Sequence, residues 1–291
     1  MIPTSTWTRL RRTLTMRTKS AAVPYVFWMA VFVVVPLVLI VVYAFTNFDG
    51  EFTLENFDNI DVFLQVFGNS VVLALIATAI CLLIAYPFSY FLAQEGALVR
   101  KVAMLLIMLP MWMNFLLRTY AWMSILENTG LLNNFFRSIG LLDLLGVDFI
   151  PMINTPGAVV LGMVYNYLPF MIMPIQSVIV KLDKSLVEAA QDLGCHSALV
   201  FRKVIFPLSL PGVLSGITMV FVPCVSTFII SDLLGGGKDM LLGDLIQMQF
   251  AGTAYNPYLG SAIALVMMVI VMICQTVMNR FGEGEEQAVM L

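Results

Sequence analysis

Cys195 and His196 are adjacent, and His196 is the single histidine of the chain, so this pair is the first candidate for metal or nucleophilic chemistry. A zinc site needs three or four protein ligands. The pair supplies two, and no further Cys or His accompanies it in the same polar segment. We therefore expect no metal site and no catalytic residue here.

The run Gly235-Gly236-Gly237-Lys238 partly matches a phosphate-binding loop. That loop requires a glycine five residues before its Gly-Lys pair and a Ser or Thr after it. Asp232 and Asp239 occupy those two positions. We expect this chain to bind neither ATP nor another cofactor by this route.

A polar segment over 181–209 is the most informative part of the chain. Ser185 and Glu188 have the spacing of a capping box, and Gly194 can adopt the left-handed turn that ends a helix. The pattern predicts a helix over 185–193 and a second over 197–206 that stops at Pro207. One interpretation is a docking helix for a partner, and the alternative is that Glu188 only caps its own helix.

Composition indicates which elements must position this segment. Of 291 residues, 60% are hydrophobic and 11% are charged, whereas soluble domains contain about 25% charged residues. Continuous apolar runs long enough to cross a bilayer indicate helices rather than strands. We predict an all-α polytopic membrane protein with six transmembrane helices, at 22–46, 68–93, 102–125, 157–180, 210–232 and 258–280.

Basic residues predict the orientation of these spans. The N-terminal tail contains five, the loop at Arg100 and Lys101 two, the segment 181–209 four and the C-terminal end one, which places 12 of the 15 on one side. Both termini are therefore predicted to be cytoplasmic. The expected organisation is a tail over 1–21, a membrane domain over 22–281 that includes the loop 181–209, and a C-terminal tail over 282–291.

The polar segment resembles the cytoplasmic loop of importer-type ABC permeases. The matching residues are Glu188-Ala189-Ala190, Gly194, Val204 and Pro207, with valine where isoleucine is usual. Further motifs resemble the spermidine/putrescine permeases of the PotB and PotH type. They are Leu117-Arg118-Thr119-Tyr120-Ala121-Trp122, Val164-Tyr165-Asn166-Tyr167-Leu168-Pro169-Phe170, Lys181-Leu182-Asp183 and Ser231-Asp232-Leu233-Leu234-Gly235-Gly236.

The resemblance implies a type I ABC importer permease in the plasma membrane of a bacterium. It implies a PotC-like second permease, an ATPase dimer that binds ATP-Mg and an external polyamine-binding protein, and it implies no nucleic-acid partner. The residues for coupling to the ATPase would be Ser185, Glu188, Ala189, Ala190, Gly194 and Pro207. A permease for another small substrate, or an ATP-independent transporter or channel, is the alternative.

A polyamine is a flexible polycation, so its path would need carboxylates and aromatic faces. Asp232 is expected about 30 Å along the fifth helix, at its outer rim. Its alternatives are an aspartate in interfacial water or a partner for Arg118. The other path candidates are Trp112, Tyr165, Tyr167 and Asn114, for which packing between helices is the alternative.

Overall fold

The computed structural model describes residues 23–58, 60–237, 240–252 and 255–289, which are mostly helical. The predicted tail over 1–21 lies outside these residues. In chain order the helices are α1 Val23–Ala44, α2 Ile60–Gln94, α3 Ala97–Met108, α4 Phe115–Leu126, α5 Leu131–Ser138, α6 Leu141–Leu145, α7 Pro156–Lys181, α8 Lys184–Asp192, α9 Ser197–Ser226, α10 Ile229–Gly235, α11 Leu242–Ala251 and α12 Pro257–Val289.

Five helices of the described chain are long and apolar enough to cross a membrane, and a bent pair makes six if it counts as one span. This agrees with the predicted six-span fold. The first, second, fourth and sixth spans correspond to α1, α2, α7 and the Pro257–Thr276 part of α12. The orientation of the termini stays a prediction.

The third span is not the continuous helix predicted over 102–125. α3 passes into a 3₁₀ turn at Leu109–Trp112, and α4 begins at Phe115. The axis turns by 91° between the segments Ala97–Trp112 and Phe115–Ser138. Pro110 explains the break, because proline lacks the N–H of a helical hydrogen bond and clashes with the preceding turn.

The fifth span also differs from its predicted bounds of 210–232. α9 begins at Ser197 and passes through Pro207, so the prediction that a helix stops at this proline is wrong. A π-helical turn at Phe201–Ile205 precedes it, and this wider turn accommodates the proline. A turn of the same type at Ala30–Val34 precedes Pro36 in α1.

The described chain forms two compact units. The first comprises residues up to Asp58 together with Asn256–Val266. In it the ring of Tyr258 lies 5.4 Å from that of Tyr43 and 4.7 Å from that of Phe48, between centroids. Aromatic contacts thus join the end of α1 to the start of α12 within this unit.

The second unit comprises Asn59–Tyr255 and Met267–Leu291, and its core is formed by α2, α7 and α9, which pack against one another. Small residues permit the close approach. A Cβ on Gly212 of α9 would lie 2.9 Å from the carbonyl oxygen of Pro174, and one on Gly216 would lie 2.7 Å from the sulfur of Met171. Close contact of this kind is a common way to hold helices together in a membrane.

Candidate functional site

Helix α8 contains four of the six predicted coupling residues, with Gly194 just after it and Pro207 in α9, but its N-cap is not the predicted one. Asp183 has an extended backbone, and its Oδ1 accepts a hydrogen bond from the N–H of Ser185 at 3.0 Å. This interaction, with a further hydrogen bond from the Ser185 side chain, lowers the pKa of Asp183. Ser185 lies inside the helix, so the predicted capping box of Ser185 and Glu188 is wrong.

The end of α8 matches the sequence prediction. Gly194 has φ of +83°, and the N–H of Cys195 donates to the carbonyl oxygen of Ala190. This is the left-handed turn for which glycine is favoured. It reverses the chain between α8 and α9.

The two faces of α8 have different surroundings. Leu186 and Leu193 are exposed, at 47% and 85%, and Ala189 is exposed beside them. The opposite face lines an open cavity of about 860 Å³, and it includes Val187 and Glu188. The first face is therefore free to receive a partner, whereas Glu188, which is also exposed, lies at the edge of the open cavity.

The cavity wall opposite α8 comes from other elements. The end of α2 contributes Tyr90 and Gln94, the start of α3 contributes Arg100, and α9 contributes Val200 and Ile205. Both signs of charge line this space, because Lys184 and Glu95 also contribute. Movement of α8 would change the volume of this cavity.

An aromatic cluster connects the start of α9 to α2, and sequence reasoning did not identify it. The ring of Phe201 lies 5.8 Å from that of Tyr86 and 5.2 Å from that of Tyr90, with near-perpendicular planes. The hydroxyls of Tyr86 and Ser209 are 2.7 Å apart and hydrogen-bonded. The spacing of Tyr86 and Tyr90, four residues apart on one helix face, was the available signal.

Asp232 lies elsewhere than predicted. α9 ends at Ser226, and Asp232 belongs to the separate short helix α10. A depth of 30 Å along the fifth helix is therefore wrong, since the helix stops six residues earlier. The Asp232 side chain is exposed.

Asp244 of α11 was also missed. Its Oδ1 accepts from the Ser231 hydroxyl at 2.8 Å, and its Oδ2 accepts from the N–H of Leu241 at 2.9 Å. Burial raises the pKa of Asp244 to about 6; the two hydrogen bonds oppose this shift and the charge of Asp232 adds to it. A second contact, from the N–H of Leu242 to Ser70 Oγ at 2.8 Å, connects α11 to α2.

The other predicted path residues are not brought together. Trp112 is 80% exposed at the break in the third span, and Asn114 caps α4 by accepting from the N–H of Leu116 at 2.8 Å. Tyr165 packs edge-on against Trp122, and Tyr167 packs against Phe170. Tyr165 thus makes the contact between helices that was its alternative, whereas Asn114 caps its own helix, and a role in the path stays a prediction for both.

The part of the chain with described coordinates contains no group of three or more His, Cys, Asp or Glu side chains able to hold a metal. Cys195 and His196 form no such group. The candidate site comprises α8, the helix α9 that follows it, and the carboxylates of Asp232 in α10 and Asp244 in α11.

Comparison with known proteins identifies the family. Residues 85–282 match the family described as "Binding-protein-dependent transport system inner membrane component". The chain belongs to this family. It is a transport permease subunit of the plasma membrane rather than an enzyme, and membership implies an ATPase and a substrate-binding protein as partners.

Individual relatives support the assignment. The chain is 37% identical to the spermidine/putrescine transport system permease protein PotB of Escherichia coli strain K12, over 84% of this chain and 90% of that protein. It is 38% identical to PotB of Haemophilus influenzae, over 84% of this chain and 86% of that protein.

Solved structures agree on the fold. A chain of a bacterial ABC transporter that imports alginate superposes with a TM-score of 0.71 at 17% identity, covering 95% of this chain and 99% of that one. A chain of the MetNI methionine ABC transporter gives 0.56 at 16% identity, covering 78% and 97%. These likenesses confirm the type I importer permease fold.

Proposed function

We propose that this chain is the permease of an ATP-driven importer of polyamines, and that it forms the translocation path with a PotC-like second permease. A polyamine-binding protein delivers the cargo from outside, and an ATPase dimer binds the exposed face of α8. The strongest support is the identity with PotB over most of both chains. The exposed carboxylate of Asp232 agrees with a cationic cargo, because it can attract ammonium groups.

The coupling mechanism follows from the connection between α8 and α9. α8 packs against the first turns of α9, which then continues without interruption to Ser226. The cluster of Tyr86, Phe201 and Ser209 fixes the start of α9 against α2. A displacement of α8 is therefore transmitted to α9 and α2 together, and is not lost in a local movement of the first turns of α9. α10, which carries Asp232, follows directly after α9.

Reconstitution tests the substrate and the energy source together. The complete transporter is placed in proteoliposomes with its binding protein, and uptake of labelled spermidine is measured with and without ATP. We expect uptake that needs ATP and the binding protein and that unlabelled putrescine reduces. Uptake by this chain alone without ATP would favour a secondary transporter, and ATP-dependent uptake of another solute only would assign a different substrate.

Glu188→Lys tests the coupling role separately. We expect the variant to insert in the membrane while spermidine uptake per ATP hydrolysed falls strongly, because a lysine at the cavity edge changes the packing behind the docking helix. Gln191→Lys, on the same cavity-lining face, is the matched control for added charge. Wild-type uptake by Glu188→Lys would remove the coupling role of this residue.

A further inference from the structure

Arg118 is a buried cation that lacks a sufficient partner among the described residues. Its side chain is 8% exposed, and its Nε has no hydrogen-bond partner. The guanidinium carbon lies 5.8 Å from the centroid of the Phe115 ring. One contact of a cation with an aromatic ring offsets only part of the cost of removing a charge from water.

The helices packed against α4 restrict the choice of counter-ion. They are α5, α7 and α10. Neither α5 nor α7 contains an Asp or Glu, whereas α10 contains Asp232. The neighbouring Asp244 already accepts two hydrogen bonds, one on each oxygen.

Among the described helices that pack against α10, Arg118 is also the basic residue available to Asp232. α10 packs against α4, α7 and α11, and α11 contains no Lys or Arg. The single basic residue of α7 is Lys181, its last residue. α10 contacts α7 at Gly162, and Lys181 lies about 28 Å further along that helix at 1.5 Å per residue.

Non-helical residues flank α10 at both ends. Thr227 has an extended backbone with ψ of 143°, and Gly236 and Gly237 have φ of +62° and +70°. Within α10, Ile230 and Leu234 face Gly162 of α7, while Asp232 is exposed. The buried side chains of Ile230 and Leu234 hold α10 in place, so Asp232 on its exposed side can be reached only by a side chain long enough to extend from a neighbouring helix, as the arginine of α4 is.

We infer that Arg118 determines specificity by pairing with Asp232 when no cargo is present, so that a cargo must carry its own cation to replace it. This inference rests on the proposed function, because the cargo is taken to be a polyamine. An ammonium group that reaches Asp232 releases Arg118, and a neutral solute cannot do so. The pair thus makes entry conditional on positive charge.

Disulfide trapping tests the approach of the two residues. Arg118→Cys and Asp232→Cys are combined in a variant whose four native cysteines are replaced, and the complete transporter is oxidised. Val159→Cys with Gly235→Cys is the control on α7 and α10, because a Cβ at 235 would lie 3.0 Å from a Val159 methyl. We expect the 118–232 disulfide without cargo, and several-fold slower formation with spermidine and binding protein.

The outcomes separate the inference from the proposed function. If the control pair forms a disulfide and the 118–232 pair forms none, with or without ATP, the ion pair is contradicted. If the disulfide forms at the same rate with and without transported spermidine, competition for Asp232 is contradicted. Failure to transport spermidine at all overturns the proposed function instead.

A double-mutant cycle tests the charges themselves, which the cysteine pair removes. The melting temperature of the solubilised complex is measured for Arg118→Gln, Asp232→Asn and their combination. If the residues pair, the double variant should melt close to the less stable single variant. Additive decreases would contradict the pair.

Discussion

Two aspartates each bind the first turn of a short helix, and their surroundings shift their pKa values in opposite directions. Asp183 caps α8 in the open, where hydrogen bonds from Ser185 lower its pKa. Asp244 is partly enclosed in α11, where burial raises its pKa to about 6. The two residues should therefore respond differently to pH and to substitution.

Asp183→Ala should loosen the first turn of α8, because it removes the acceptor for the N–H of Ser185. Hydrogen exchange of the amides in Lys184–Asp192 measures this directly, and we expect faster exchange. Because the pKa of Asp183 is lowered, its carboxylate is ionised and caps the helix fully above about pH 4. The capping contribution is lost only as the pH falls through the pKa that Asp183 has in the folded protein. After correction for the intrinsic exchange rate, the protection of these amides in the wild-type protein should therefore be the same at pH 6 and pH 8.

Ser185→Ala is the matched control, since it keeps the N–H that Asp183 accepts. We expect a smaller effect than for Asp183→Ala. A larger effect for Ser185→Ala than for Asp183→Ala would instead support the capping box of Ser185 and Glu188.

Asp244 predicts a pH dependence in the acidic range. Its pKa is raised by folding, so the folded protein binds the proton more tightly than the unfolded chain. The contribution of Asp244 to the free energy of unfolding therefore falls as the pH rises from about 4 to about 6, and it is constant above pH 6. Melting temperatures of the solubilised complex across this range measure the effect.

Asp244→Asn should flatten that dependence, because the amide does not titrate in this range. Asp232→Asn should keep the dependence but make it smaller and end it at a lower pH, since the Asp232 charge contributes to the raised pKa. An unchanged pH profile in Asp244→Asn would assign the titration to another group.

Sequence reasoning identified the correct neighbourhood of α8 but not its cap. Asp183 and Ser185 are both favoured N-cap residues, and Glu188 fits the box of Ser185. The choice depends on backbone conformation, since Asp183 is extended with ψ of 123°. No neighbouring residue competed with Gly194 for the left-handed turn that ends α8, and this turn was predicted correctly.

At the level of elements, the contact of α7 with α9 depends on glycine at one crowded position. Gly212→Ala should cost about 1–3 kcal/mol, because its Cβ would meet the backbone oxygen of Pro174 at 2.9 Å, which cannot rotate away. The fraction of protein that remains folded after heating in detergent measures this loss.

Gly68→Ala is the control within α2. A Cβ there meets no atom within 4 Å, and alanine in a helix is favoured over glycine by about 0.5–1 kcal/mol. We expect this variant to equal or exceed the wild type in stability. Equal behaviour of the two substitutions would show that the close approach at Gly212 does not limit packing.

The spans were predictable because apolar length indicates a membrane helix directly. The breaks were not, because composition is equally apolar on both sides of Leu109–Trp112 and of Thr227. The presence of a proline did not indicate whether a helix breaks or continues. Pro110 lies in a sharp bend, whereas Pro207 lies in a continuous helix after a π-helical turn.

At the scale of the whole molecule, the surface of α1 indicates its surroundings, because most of its side chains are exposed. Ala44 is its only buried residue, and residues such as Phe27, Phe32 and Val38 are more than half exposed. In a protein of the plasma membrane such a surface faces lipid or another membrane helix. The exposed leucines of α8 differ from it, because they lie in a segment rich in charge.

The proposed coupling requires that α8 bind an ATPase on the cytoplasmic side of the membrane. Leu193 is the most direct probe, since it is 85% exposed at the end of α8. Leu193→Cys is introduced after replacement of the native cysteines and is exposed to a membrane-impermeant maleimide in right-side-out and inverted vesicles. Leu144→Cys, 82% exposed in α6, is the control predicted to lie on the opposite side.

We predict that Leu193→Cys is labelled in inverted vesicles only and that bound ATPase protects it. Leu144→Cys should be labelled in right-side-out vesicles only. Labelling of Leu193→Cys from outside, or equal labelling with and without the ATPase, would contradict the proposed coupling.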